Sequence, residues 1–65
     1  MNNKFKDKSQ VLVNGIGEKD GKYYSNKIGT VIQRDPYYLD YLVEFEDGTE
    51  DWFLESALRK PYTET

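Results

Sequence analysis

Acidic side chains are the most abundant chemically capable groups in this sequence, and five of them, Glu44, Glu46, Asp47, Glu50 and Asp51, crowd into one short segment. Paired carboxylates can divide acid and base roles across a glycosidic bond, or offer oxygen ligands to a hard cation such as calcium. Glu44 with Glu50 or Asp51 is the nearest approach to such a pair. A glycosidase needs a cleft, however, and a chain of 65 residues has little room for a deep one. The acids also miss the spacing of an EF-hand loop. The segment is therefore expected to form a solvated acidic hairpin, with Glu44, Glu46, Asp47, Glu50 and Asp51 on its surface and no metal bound.

Composition closes the other common routes to catalysis. The chain has no Cys and no His. No disulfide frame or Cys/His zinc site can form, and Ser9, Ser25 and Ser56 have no histidine to activate them. Gly15-Ile16-Gly17 is followed by Gly21 rather than by the start of a helix, so the dinucleotide fingerprint fails, and there is no Walker-type loop. The expectation is a non-enzymatic protein with no catalytic residue and no cofactor.

Binding chemistry is better supplied. Tyr23, Tyr24, Tyr37, Tyr38 and Tyr41 fall in or beside two loops that flank the second expected strand. Tyrosine offers a large contact area with a polar tip and is enriched where proteins meet. These five are the candidate partner-binding residues, and the leading reading is a module that binds another protein. A second reading uses Lys4, Lys6, Lys8, Lys19, Lys22, Lys27 and Arg34 as a basic face for nucleic acid, with tyrosines for stacking. Residues 1–34 carry seven Lys/Arg against three Asp/Glu, whereas residues 35–65 carry two against nine. The net charge of −3 argues against a nucleic-acid binder. A third reading is an acidic inhibitor that fills the basic groove of a nucleic-acid-processing enzyme.

The elements that must position these residues are short and β-rich. Residues 1–7 form a flexible N-terminal segment, from which Phe5 is expected to tuck against the domain, and residues 63–65 form a tail. Gln10-Val11-Leu12-Val13 reads as a first strand ended by a turn at Asn14-Gly15. Residues 14–27 read as a long polar loop holding Tyr23 and Tyr24. Residues 27–34 are a second strand, with β-branched Thr30, Val31 and Ile32. Asp35-Pro36 marks a turn. Leu39 to Glu46 alternates, which sends Leu39, Tyr41, Val43 and Phe45 to the core.

Asp47-Gly48 is a hairpin signal. A two-residue loop would pair Val43 with Trp52 and Glu44 with Asp51; a three-residue loop would pair Glu44 with Glu50. Residues 51–54 are a fourth strand, with Trp52 in the core beside Phe45. Glu55-Ser56-Ala57-Leu58 suits one 3₁₀ or helical turn, and Arg59-Lys60 a short last strand. One Trp, six Tyr and three Phe supply a core that no crosslink supports. No apolar run is long enough for a membrane span or secretory signal, and a cytoplasmic protein is expected.

Taken in order, Lys27-Ile28-Gly29-Thr30-Val31-Ile32, then Val43-Glu44-Phe45-Glu46-Asp47-Gly48, then Trp52-Phe53 and Glu55-Ser56-Ala57-Leu58 resemble the SH3-like small barrels, including KOW-type and Tudor-like modules. The resemblance covers residues 10–60. It implies an all-β barrel of about five short antiparallel strands over residues 8–62, with its 3₁₀ turn near residues 55–58. It also implies that the two tyrosine-bearing loops lie near each other beside a binding groove. RNA-binding KOW modules are basic, unlike this chain, and a Tudor-like reader needs an aromatic cage around its ligand cation. The chain also resembles small accessory proteins of bacteria and their phages. An unpaired edge strand would allow a weak homodimer beside the monomer.

Overall fold

A computed structural model describes residues 5–61; the expected tail, 63–65, lies outside them. Five strands follow one another: β1 (Gln10–Ile16), β2 (Tyr23–Arg34), β3 (Asp40–Phe45), β4 (Glu50–Leu54) and β5 (Leu58–Arg59), with a 3₁₀ turn at Glu55–Ala57 before the last. All neighbours pair antiparallel in the order β4-β3-β2-β1-β5. The chain is thus an all-β, five-stranded curled half-barrel, compatible with an SH3-like barrel. Among the described residues no helix is long and apolar enough to cross a membrane.

Period-two alternation selects the core. Val11 and Val13 of β1, Val31 of β2, Tyr41, Val43 and Phe45 of β3, Phe53 of β4 and Leu58 of β5 all point inward and are buried. Phe5 joins them, edge-on to the Tyr41 ring at 5.6 Å. The segment behind Phe5 is tied down as well. The Lys8 amide donates to the Val31 carbonyl, and the Val31 amide to that of Ser9. Residues 1–4 lie outside the described residues, but from Phe5 onward the expected flexible segment is part of the packed domain.

Several expectations need correction. The long loop at 14–27 is largely strand: β1 runs on to Ile16 and β2 begins at Tyr23. What reads as a turn at Asn14-Gly15 is a bulge, in which Ser25 and Asn26 oppose Asn14 alone. Asn26 takes φ 52°, and its amide and side chain both bond the Asn14 side chain. Asparagine tolerates this left-handed geometry better than most residues.

Leu39 is not a core residue. It sits at φ 64° and is 49% exposed, because the loop closes through Leu39 N–H to Asp35 C=O and β3 starts only at Asp40. Trp52 is half-buried on the outer face of β4, and its neighbour Phe53 takes the inner place. The hairpin adopts the three-residue loop: Phe45 N–H bonds Thr49 C=O, Gly48 takes φ 91°, and Glu44 pairs with Glu50. The last strand pairs Leu58 and Arg59, rather than Arg59 and Lys60, with β1.

Phe53, fully buried, meets Phe45 edge-on at 5.9 Å and Tyr24 at 5.3 Å. Truncation of a buried aromatic costs about 3–5 kcal/mol, most of the stability of a domain this small. Phe53→Ala is expected to leave the chain largely unfolded in urea titrations near 25 °C.

Candidate functional site

The site is organised from one buried acid. Asp51 pairs with Val43 on the inner face of the sheet and is 1% exposed. Its Oδ1 accepts the Lys19 amide at 2.7 Å and the Trp52 amide at 2.7 Å, and its Oδ2 accepts the Asp20 amide at 3.2 Å. A carboxylate out of water needs such partners. The loop supplies them because Gly17 lets it come close; a Cβ there would collide with the Asp51 carboxylate. Asp51 therefore lies beneath the β1–β2 loop and does not belong to the acidic surface expected of it.

Asp20 completes the loop. Its carboxylate accepts the Lys22 amide at 2.8 Å and the Tyr24 hydroxyl at 3.0 Å. The Lys22 hydrogen bond leads in holding the Asp20 carboxyl below its ordinary range. Burial, helped by Asp20, pushes the Tyr24 phenol up. Tyr24 lies flat against Phe45 at 4.8 Å and is a wall of the core. Tyr41 is fully buried, receives the Phe5 amide at 3.5 Å and donates to Glu55 Oε2 at 2.9 Å. Neither tyrosine is free to meet a partner as the loop reading had supposed.

The loop so held presents Glu18 outward, its amide bonded to the Trp52 carbonyl at 3.0 Å. A shallow groove of about 380 Å³ opens beside it, between Ile16, Tyr23, Leu54 and the 3₁₀ turn at Ser56 and Ala57. Ile16 is 61%, Tyr23 66% and Leu54 55% exposed. On its other side Leu54 pairs with Asp40, whose side chain is 7% exposed with Oδ1 lacking any hydrogen-bond partner. The Glu18 carboxyl comes within hydrogen-bond reach of Asp40. That contact, then burial, then the charges of Asp40, Asp51 and Asp35 push Glu18 up to about 7.

Leu39 leads from Asp40 to the other exposed tyrosines. Asp35 Oδ1 accepts the amides of Tyr37 at 2.9 Å and Tyr38 at 3.3 Å. The two rings pack edge-on at 4.8 Å at the loop tip, both exposed.

Of the five predicted tyrosines, Tyr23, Tyr37 and Tyr38 are thus surface residues. Glu44, Glu46, Asp47 and Glu50 remain on the exposed hairpin, where Thr49, through its hydroxyl and amide, holds the Asp47 carboxyl low. Among the described residues no group of three or more acids is placed to hold a metal. The described basic residues are spread over several elements, with Lys6 and Lys8 in the segment before β1. Lys19 and Lys22 sit in the β1–β2 loop, Lys27 lies beside the Asp47 hairpin, Lys8 meets Val31, and Arg34 ends β2 over the Tyr41 ring. Lys4 lies outside the described residues.

Ile16, Glu18, Asp40 and Leu54 escape a sequence reading centred on tyrosines. One signal was present: Trp52-Phe53-Leu54 is apolar on both faces of a strand, so some of it must lie outside the core. No family model, no curated protein and no solved structure matches this chain.

Asp51→Ala would leave two loop amides and Trp52 without their acceptor. A loss of roughly 1–3 kcal/mol is expected in urea unfolding. Glu18 keeps its proton to about 7 in the folded chain, against an ordinary 4.5. The folded state therefore binds the extra proton, and stability falls as pH rises between those values. Solvent screening keeps the slope shallow. Glu18→Gln should flatten that part of the stability–pH curve.

Proposed function

We propose that this chain is a non-catalytic module that binds another protein through the groove between the β1–β2 loop, Leu54 and the 3₁₀ turn. The observation that carries this reading is the gathering of three large, exposed apolar side chains, Ile16, Tyr23 and Leu54, around one concavity. Apolar side chains collected at a surface depression mark interaction sites, whereas singly scattered ones do not. The Tyr37-Tyr38 tip, held by Asp35, adds a second aromatic contact beyond Leu39. Aromatic side chains without mobile stems lose little entropy on binding. A small binding module also suits the resemblance to accessory proteins of bacteria and phages.

The KOW-like alternative gains no such support, because the lysines are dispersed and a nucleic-acid binder needs a basic footprint. Inhibition through an acidic surface keeps fewer of the acids between Asp35 and Glu55, since Asp40 and Asp51 are buried.

The immobilised chain, offered lysate with and without nuclease, should retain a protein that survives nuclease. Leu54→Ser, shown folded by circular dichroism, should release it. Tyr41, being core, is unsuitable for such a test. Retention of nucleic acid, or of proteins lost with nuclease, would move the function to the nucleic-acid reading. Capture indifferent to Leu54→Ser would remove the groove from the interaction.

A further inference from the structure

Asn14 is followed by Gly15, the one Asn-Gly step in the sequence. Such a step is chemically labile, because glycine has no side chain to hinder its backbone nitrogen from attacking the neighbouring carboxamide. The attack requires the Asn14 side chain to fold back until Cγ meets the Gly15 nitrogen. The fold holds that side chain elsewhere. Asn14 sits at the β1 bulge, and one residue of β2 engages both of its polar atoms. Its Oδ1 accepts the Asn26 amide at 3.0 Å, and its Nδ2 donates to Asn26 Oδ1 at 3.2 Å. The first bond fixes which end of the carboxamide is which, since a backbone N–H only donates. Asn26 reaches across from a left-handed backbone, φ 52°, which costs a residue other than glycine some stability. Gly15 is equally constrained: a Cβ there would stand 2.7 Å from the Ala57 methyl. The packing thus demands glycine after Asn14, and the clamp immobilises the side chain that glycine makes reactive.

We propose that Asn14 is a latent deamidation site, guarded by its clamp to Asn26, and that its conversion to isoaspartate unlocks the end of the β1–β2 pairing. When the clamp opens, the Gly15 nitrogen attacks Asn14 Cγ and gives up its proton. The Cγ–Nδ2 bond breaks, ammonia leaves, and a cyclic imide remains. Water opens that ring at either carbonyl. One route gives aspartate, and the other gives isoaspartate, in which the main chain runs through the side-chain carbons. Water is the only co-reactant. Isoaspartate inserts an extra carbon into β1 just before Gly15. Gly15 and Ile16 then lose their register against Tyr24 and Tyr23, and the tight Gly15–Ala57 contact is displaced. Asn14, Gly15, Ile16 and Tyr23 all line the groove, so its wall moves with them. The chemistry at Asn14 is independent of what the groove binds.

The test incubates the folded chain, the chain unfolded in guanidinium and folded Asn26→Gly in mildly alkaline buffer. Intact mass follows deamidation, and peptide mapping places it. Asn26→Gly suits the left-handed backbone and keeps the amide that Asn14 Oδ1 accepts, but removes the oxygen that holds Nδ2. Asn14 should be the first asparagine lost in the unfolded chain, at a rate roughly tenfold or more above that of the folded chain. Folded Asn26→Gly should fall between the two. Without any variant, the wild-type rate in low guanidinium should rise in step with hydrogen exchange of the Asn26 amide, which reports opening of the clamp. The isoaspartate form, isolated by chromatography, should show displaced amide resonances at Gly15, Ile16, Tyr23 and Tyr24, and Asn14→Asp, which keeps the chain length, much smaller ones. Equal rates in folded and unfolded chains, or a rate indifferent both to Asn26→Gly and to clamp opening, would overturn the guard. Earlier loss at Asn2, Asn3 or Asn26 would overturn the site. Unmoved resonances in the isoaspartate form would overturn the unlocking.

Discussion

A single buried carboxylate organises the outward-facing part of this molecule. Asp51 occupies an inward position of β4 where a sheet of this kind places an apolar residue. It is tolerated there because three backbone amides, from Lys19, Asp20 and Trp52, surround it. Those bonds work in both directions. They satisfy the acid and, with the Glu18 amide on the Trp52 carbonyl, fix the β1–β2 loop against β4. Glu18 is carried on that loop, and Ile16 and Tyr23 flank it. The groove therefore inherits its shape from a charge the core would ordinarily reject.

The far wall of the groove depends on a second buried polar group. Tyr41 fills the core with its ring and uses its hydroxyl to join Phe5 to Glu55, the first residue of the 3₁₀ turn. That turn carries Ala57 against Gly15 of β1, where a Cβ on the glycine would stand 2.7 Å from the alanine methyl. Close packing on one side and a tethered loop on the other give a small domain a pre-formed concavity, which lowers the entropic cost of binding.

The tyrosines divide according to what their hydroxyls and rings can reach. Tyr24 and Tyr41 have ring partners in the core and acids at their tips, Asp20 and Glu55 respectively. Tyr37 and Tyr38 sit past a proline turn whose amides are taken by Asp35, and their rings pack on each other. Tyr23 alternates outward from Tyr24 along β2 and falls beside Ile16, its pairing partner. Tyr23 and Tyr24 thus have opposite fates, because a strand turns successive side chains to opposite faces.

The sequence by itself determined the class, the approximate strands, the Asp35-Pro36 turn, the Asp47-Gly48 hairpin and the 3₁₀ turn. All of these are local: alternation, proline geometry and turn residues act over a few positions. It also determined that Tyr41, Val43 and Phe45 share a face. Only the tertiary structure decided which hairpin register holds, since both placed acids opposite acids. It alone showed that residues 14–27 extend the β1–β2 pairing through a bulge, because the Asn14–Asn26 clamp joins residues twelve apart. It alone exchanged Trp52 for Phe53, sent Leu39 outward, and buried Asp51 among amides 31 and 32 positions away. The meeting of Glu18 with Asp40 is of the same kind. Burial and charge are properties of what surrounds a side chain, and in a curled sheet most of those surroundings come from elsewhere in the chain.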